Sequence, residues 1–429
     1  GLDDLHEPSG IIKEAQDLTA ELYGSKESFF LVNGSTVGNL AMILSVCRPG
    51  DLLLVQRNCH KSVFHAVELA GARPVFLTPE IDDEMAVPTR VLQQTVKEAV
   101  SKYPTAKGIM LTYPNYYGHA ADLKPIVEEA HKHHMPVLVD EAHGAHFVLG
   151  RPFPQSALEA GADAVVQSAH KTLPAMTMGS FLHLNSRRID RDRLVHYLTV
   201  LQSSSPSYPI MASLDLARAY ADHLLKTNRM ERAEKEITAM KEQFLNIAGV
   251  EIAEPADPLI QQDPLKVCVR SKQGHSGYEL KKIFEQNGVH PELGDERQVL
   301  FILPLEGKRS LDPETIRRIG KEIESRSPGI HSQVQIGEPV EKITTLPYDK
   351  ITLSSFKTES VPFSEAAGRV SAEQVIPYPP GIPLIMEGER VKQESIRRLS
   401  RLVDLHVHIQ GSSHLKQKQL TVYIEEEKS

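Results

Sequence analysis

Several things are scarce in this chain. No apolar run approaches the roughly 20 residues of a membrane-spanning helix, so no membrane partner is expected. Positive charge is in deficit, with 48 Lys and Arg against 56 Asp and Glu and a net charge of −8. That balance argues against a general nucleic-acid binder and leaves little long-range attraction for an anionic surface. The three cysteines, Cys47, Cys59 and Cys268, form no Cys-x-x-Cys pair. They offer no thiolate metal cage and suit a reducing, cytoplasmic setting. Despite 19 histidines there is no His-Glu-x-x-His and no credible ligand set, so no metal is expected. Internal repeats and low-complexity tracts are missing too. The chain opens Gly1-Leu2-Asp3 without an initiator Met, which leaves a targeting segment upstream of it an open question.

What is present is an ordinary globular composition, 41% hydrophobic and 24% charged over 429 residues, with room for two or three domains. From about residue 10 to 210, apolar runs alternate with amphipathic stretches. The runs include Phe29–Val32, Leu52–Val55, Val75–Leu77, Ile109–Leu111, Val137–Val139 and Ala164–Val166. A helix is expected from an Asp122 N-cap, with Leu123, Ile126, Val127 and Ala130 on one face, stopping before Pro136. This alternation predicts an α/β fold with a mostly parallel, doubly wound sheet. Residues of about 212–247 read as one or two long charged helices. From about 249 shorter elements, including Leu265–Val269 and Val299–Leu303, predict a small α+β domain, and Ser327-Pro328-Gly329 looks like a boundary. The run Pro377-Tyr378-Pro379-Pro380-Gly381-Ile382-Pro383 cannot be a helix. The expected division is 1–248, 249–335 and 336–429.

Two residues carry the chemistry. Lys171 follows an apolar strand and precedes Thr172-Leu173-Pro174-Ala175-Met176, which are not the surroundings of an open surface. A partly buried lysine has a lowered pKa and is readily nucleophilic. Asp140 ends Val137-Leu138-Val139, and a carboxylate at the carboxyl end of a central parallel strand points into the crevice where α/β folds bind ligands. Buried there it needs a cation. A lysine that holds an aldehyde and a carboxylate that keeps a pyridine nitrogen protonated are what a pyridoxal phosphate (PLP) enzyme requires.

The companions each have a plainer reading. Gly34-Ser35-Thr36 opens a helical run and makes a phosphate cradle or an ordinary N-cap, and Ser168 and His170 can add donors from a second loop. His60, beyond the Leu52–Val55 run, either stacks on a flat ring or bonds to backbone. His143 lies near the same crevice and can act as acid, base or carboxylate contact. His146 reads as structural, and His131-Lys132-His133-His134 as a solvated helix end. Thr112 or Asn115 can reach a pyridine 3-oxygen, or simply belong to a proline-bearing loop. Segments around 35, 60, 112, 140 and 168 all follow apolar strands, so they converge on one edge of a sheet.

Taken together, Gly34-Ser35-Thr36, Asn58-Cys59-His60-Lys61, Val139-Asp140-Glu141-Ala142-His143 and Ser168-Ala169-His170-Lys171 resemble the fold-type-I PLP enzymes. More closely, the chain resembles the ornithine/lysine/arginine decarboxylase family, in its short bacterial form without the wing domain. Ile376–Pro383 with Gly388-Glu389 resembles that family's C-terminal domain, and this favours the decarboxylase branch over aminotransferases. The resemblance implies a large domain with a sheet of the seven-stranded type, a small α+β domain and a C-terminal domain. It implies that Lys171 holds the cofactor's aldehyde, Asp140 pairs with the ring nitrogen, and His60 stacks on one ring face with Ala142 on the other. Ser35, Thr36, Ser168 and His170 would bind phosphate, with Thr112 near the 3-oxygen. Ser203-Ser204-Ser205-Pro206-Ser207, Ser204 in particular, would reach the partner subunit's phosphate. That makes the expected assembly a homodimer with shared active sites, with a higher oligomer left open. Glu292 and Asp295 match the family as well, though a solvated loop is the plainer reading. Family members usually start with a stretch carrying a Pro-Gly-His-Lys-like motif, which this chain does not contain.

The implied reaction is α-decarboxylation of a basic amino acid, with arginine or lysine favoured over ornithine, and with Lys171 or His143 protonating the carbanion. Discrimination among the three depends on pocket dimensions. A role in polyamine synthesis stays open. The alternatives are a PLP aminotransferase or carbon–carbon lyase, and a catalytically silent PLP-binding regulatory homologue.

Overall fold

The apolar runs become a central eight-stranded sheet in a computed structural model that describes residues 3–425 apart from 228, 307–309, 330–340 and 379–380. Its middle is five parallel strands in the order Ala164–Gln167, Val137–Asp140, Ile109–Thr112, Leu52–Gln56 and Arg73–Leu77. Ser180–Leu184 adds antiparallel to Ala164–Gln167, and Glu27–Leu31 pairs antiparallel with it in turn. Two reversals bring the carboxyl end of Glu27–Leu31 back to the edge where the parallel strands end. The expected sheet gains an eighth strand because Ile343–Thr345, from the C-terminal part of the chain, pairs antiparallel with Arg73–Leu77.

The continuous apolar runs reflect burial on both faces. Leu53, Leu54 and Val55 are all fully buried, between one core that includes Leu111 and Phe181 and another that includes Met42 and Phe64. Helix Gly34–Val46 packs on the second face, and Gly38 is what lets it approach: a Cβ there would lie 2.4 Å from Val166 Cγ2. The expected helix after Asp122 begins two residues later, at Lys124–Lys132, with Pro125 in its first turn and Asp122 Oδ1 accepting from Lys124 N. The charged helical stretch is two helices, Tyr208–Lys226 and Met230–Leu245.

The second sheet has four antiparallel strands, ordered Leu293–Gly294, Gln298–Ile302, Lys266–Ser271 and Val250–Ala253. A third has three strands, with Gln419–Tyr423 between Thr358–Pro362 and Val370–Ser371. The expected 335/336 boundary lies outside the described residues, as do Pro379 and Pro380. No described helix is long and apolar enough to cross a membrane.

Candidate active site

The segments singled out by sequence meet at the carboxyl edge of the sheet. Asp140 is only 4% exposed. Its Oδ2 accepts from Asn39 Nδ2 at 2.8 Å and its Oδ1 from Ala142 N at 3.1 Å. Among the described residues no cation lies within ion-pair distance of it. A buried carboxylate with two neutral donors and no counter-charge is a place for a protonated ring nitrogen.

Lys171 extends from the short helix Ala169–Thr172, and its Nζ lies 3.0 Å from His143 Nε2. The residue as a whole is exposed, yet its amine is surrounded by protein. That desolvation lowers its pKa, against the pull of Asp140 and Glu292. His143 is buried and held well below the usual histidine range, first by desolvation and then by Lys171 and Lys266. It is a neutral imidazole. The Tyr116 ring meets it edge-on, with centroids 4.6 Å apart.

His60 caps helix Lys61–Leu69, its Nδ1 accepting from Ser62 N. Burial pushes its pKa down to about 4, against Asp140, so its ring is neutral and flat-faced at working pH. The C-terminal part of the chain backs this ring. Gly381, with φ +84°, lies so close that a Cβ there would sit 3.2 Å from the imidazole, and Gly381 O accepts from Lys61 N. Arg57 ties the same loop to Glu389 at 2.6 Å and to the carbonyl of Pro383 at 2.9 Å.

Ser35, Ser168 and Ser180 form a hydroxyl cluster at the start of helix Gly34–Val46, with Ser35 Oγ 2.7 Å from Ser168 Oγ and 3.1 Å from Ser180 Oγ. Gly34, at φ +80°, leaves open space where a side chain would stand. Thr36 is exposed in the helix's first turn. These groups suit a phosphate at a helix N-terminus. His170 donates Nδ1–H to Gly179 O at 3.0 Å, so its neutral form presents only a lone pair at Nε2, and donation to a phosphate requires the imidazolium. Thr112 donates to Cys59 Sγ and its amide to Gln56 Oε1. Ser204 is exposed, while its neighbours Gln202 and Ser203 bond to Val32 and Asn33 of the same chain.

The residues fit PLP: an uncompensated carboxylate, an enclosed amine, a flat neutral histidine and a hydroxyl-lined helix start. Three contributors went unread in the sequence. Asn39, Tyr116 and Lys266 touch Asp140 or His143: Asn39 lies inside a helix, Lys266 begins a strand, and Tyr116 falls in the loop after Ile109–Thr112 with nothing local that marks it. The plainer readings fare unevenly. His146 is fully buried against Asp263, as a structural histidine should be. His131 bonds the buried Asp163 at 2.7 Å rather than standing in solvent, because that carboxylate lies under the helix end. Asp295 is no solvated loop residue: it is half-buried and accepts from Tyr117 at 2.6 Å and from the amides of Arg297 and Gln298. Glu292 is exposed but accepts from Tyr116 at 2.6 Å. No group of three or more candidate metal ligands occurs among the described residues.

Sheet order, doubled-back strand and cleft define the α/β fold of the fold-type-I PLP enzymes. The Francisella novicida lysine decarboxylase LdcF has this fold, with a TM-score of 0.76 at 18% identity over 99% of this chain and 73% of its own. Residues 1–311 match the family described as Orn/Lys/Arg decarboxylase, major domain, and residues 344–411 its C-terminal domain. The chain belongs to that decarboxylase family. It is 61% identical over 430 residues to an uncharacterized Bacillus subtilis protein, YaaO, spanning 100% of this chain and 89% of that one. It is 35% identical to the arginine decarboxylase of Bacillus subtilis over 96% of this chain and 85% of that one.

Proposed function

We propose that the protein removes the α-carboxylate of a basic amino acid, arginine or lysine ahead of ornithine, to give the amine and CO2. The observation that carries this is the buried Asp140 carboxylate without a counter-cation, in one cleft with the enclosed Lys171 amine. PLP, when bound, supplies a sink for the electron pair left as CO2 departs. Lys171 is the residue that would hold it. Asp140, fixed by Asn39 and Ala142, places negative charge where the ring nitrogen would sit. His60 and Ala142 would offer surfaces for its two faces, Ser35, Thr36 and Ser168 donors for its phosphate with His170, whose pKa is lowered first by burial, beside them, and Thr112 a hydroxyl for its 3-oxygen. The α-carbon gains one proton in the reaction, and Lys171 Nζ with His143 Nε2, 3.0 Å apart, is the pair that delivers it.

The family match and the 35% identity to an arginine decarboxylase support the substrate class. We keep the divisions at 248/249 and 335/336, a cytoplasmic setting, and a homodimer in which Ser204 serves the partner subunit's phosphate. The test is amine production by PLP-loaded protein given arginine, lysine and ornithine separately, with Lys171→Ala as control. Agmatine, cadaverine or putrescine from wild type alone is expected. Absence of all three amines overturns the reading.

A further inference from the structure

Lys266 is a buried lysine whose partner is not a carboxylate. It begins the strand Lys266–Ser271, is 2% exposed, and lies in the same cleft as Lys171 although it comes from the other sheet. A buried ammonium ordinarily pairs with an acid. Here, among the described residues, no carboxylate oxygen lies within ion-pair distance of its Nζ, and the hydrogen-bond partner is His143 Nδ1 at 3.0 Å. Its stem is fixed by close packing on the Tyr116–Gly118 loop. A Cβ at Gly118 would lie 2.5 Å from Lys266 Cγ, and the Tyr116 ring stands 5.6 Å from the amine. One imidazole therefore bridges two lysines, with Lys171 at Nε2 and Lys266 at Nδ1, each at 3.0 Å.

Hydrogen-bond bookkeeping restricts this arrangement. A neutral imidazole has one N–H and one lone pair, and a lysine ammonium only donates. Two ammonium groups cannot both be satisfied by one ring, and an imidazolium would satisfy neither. One amine must be a free base that accepts the ring N–H. The two ends exchange roles when the ring passes a proton in at one nitrogen and out at the other.

Resting on the PLP reading above, we propose that Lys266 is a positioning residue for Lys171: through His143 the two amines share one ammonium proton, so that Lys171 can be a free base at neutral pH. Condensation with the cofactor's aldehyde needs that form. It joins Lys171 Nζ to the aldehyde carbon and releases the aldehyde oxygen with both amine hydrogens as water. A protonated Lys171 must first give a proton to His143 Nε2 while Nδ1–H passes to Lys266. The electrostatic surroundings agree. Burial lowers the pKa of Lys266 to about 8, and that of Lys171 is lowered as well. The other charged or titratable groups facing the trio are Asp140 and Glu292 toward Lys171, Asp263, Glu292 and Cys268 toward Lys266, His146 and His60 toward His143, and Tyr116, whose ring lies against both His143 and Lys266 and whose phenol burial keeps protonated.

The test is covalent uptake of PLP by the full chain stripped of cofactor. The rate is followed from pH 6 to 10 by the absorbance of the bound cofactor, and the modified lysine is identified after borohydride reduction. Lys266→Met removes both the acceptor and a neighbouring positive charge. The uptake midpoint should rise by about one unit, which slows uptake at pH 7 roughly tenfold. Lys266→Gln accepts a hydrogen bond but no proton, and should shift the midpoint in the same direction. An unchanged midpoint in either folded variant overturns the proposal. If neither variant folds, nitrogen-15 histidine spectra of the wild type decide, with His143→Asn assigning the signal. A neutral His143 ring from pH 6 to 9 is expected, and an imidazolium titrating between pH 5.5 and 7.5 overturns the proposal. No uptake by wild type, or uptake undiminished in Lys171→Ala, would instead defeat the PLP reading.

Discussion

Gly38→Ala separates positioning from stability. Gly38 lies between Ser35 and Asn39 on helix Gly34–Val46, and its added methyl would meet Val166 Cγ2 at 2.4 Å and Leu31 Cδ1 at 3.0 Å. Ordinary contact needs about 1 Å more, so the helix must lift from the sheet by that amount or Val166 must move. Overpacking costs about 1–3 kcal/mol, and alanine's better helix propensity returns about 1 kcal/mol. The net loss of about 0–2 kcal/mol should lower Tm by only a few degrees. The same displacement shifts Asn39 from Asp140 and Ser35 from Ser168, bonds now 2.8 and 2.7 Å long. A misplacement of about 1 Å in a catalytic constellation costs about 100-fold. Steady-state amine formation should therefore fall by one to two orders of magnitude while thermal unfolding barely moves. Val166→Ala, added to Gly38→Ala, removes the clashing Cγ2 and should recover much of the lost kcat/KM. Activity of Gly38→Ala within twofold of wild type, or no recovery in the double variant, refutes this account.

Asp140→Asn keeps the shape but removes the charge. Decarboxylation should drop at least about 100-fold, as when one electrostatic group of a preorganised site is lost, and a near-normal rate would remove Asp140 from its role. Arg57→Ala strips the C-terminal part of its bonds to the His60 loop, at a cost of about 1–3 kcal/mol. PLP affinity should weaken together with Tm, and unchanged affinity would show that the backing of His60 is dispensable. Acid should destabilise the fold. Burial holds His119 and His60 down to about 4 and His183 to about 3, so the unfolded chain binds more protons below pH 6.5 and stability is lost as pH falls toward 4. The two most buried, His119 and His183, should together remove roughly 4 kcal/mol between pH 7 and pH 5. Glu141, raised to about 8 by burial, binds about one proton more in the folded state over the same interval and returns about 2.5 kcal/mol, so the net loss from these three groups is about 1–2 kcal/mol. A denaturant midpoint that stays flat over that interval contradicts the assignment.

The strands were legible because parallel strands buried on both faces leave unbroken apolar runs, and their carboxyl ends pointed to Ser35, His60, Asp140, Ser168 and Lys171 without further information. Asn39 was not legible, since a polar residue within the helical run Val37-Gly38-Asn39-Leu40 carries no local sign of what it faces. Lys266 was visible as a charge heading the apolar run Val267-Cys268-Val269, but a lysine at a strand's start usually reaches water. Only the pairing of the second sheet, with Lys266 opposite Ile302, turns it toward His143. The Ile343–Thr345 strand was lost for the opposite reason: three residues show too little periodicity to be told from a loop, and their partner lies more than 260 positions earlier.

The backing of His60 by Gly381 has a consequence for biosynthesis. A ribosome that has made the first 300 residues has already delivered Lys171, Asp140 and the five parallel strands. The Arg73–Leu77 strand still presents a bare, apolar edge at that stage, open to pairing with another chain. That edge is covered only when Ile343–Thr345 emerges, and His60 receives its wall some forty residues later. A nascent chain thus holds a nearly complete site beside an unprotected edge until Ile343–Thr345 emerges, and a stall before that point favours self-association over a finished cleft.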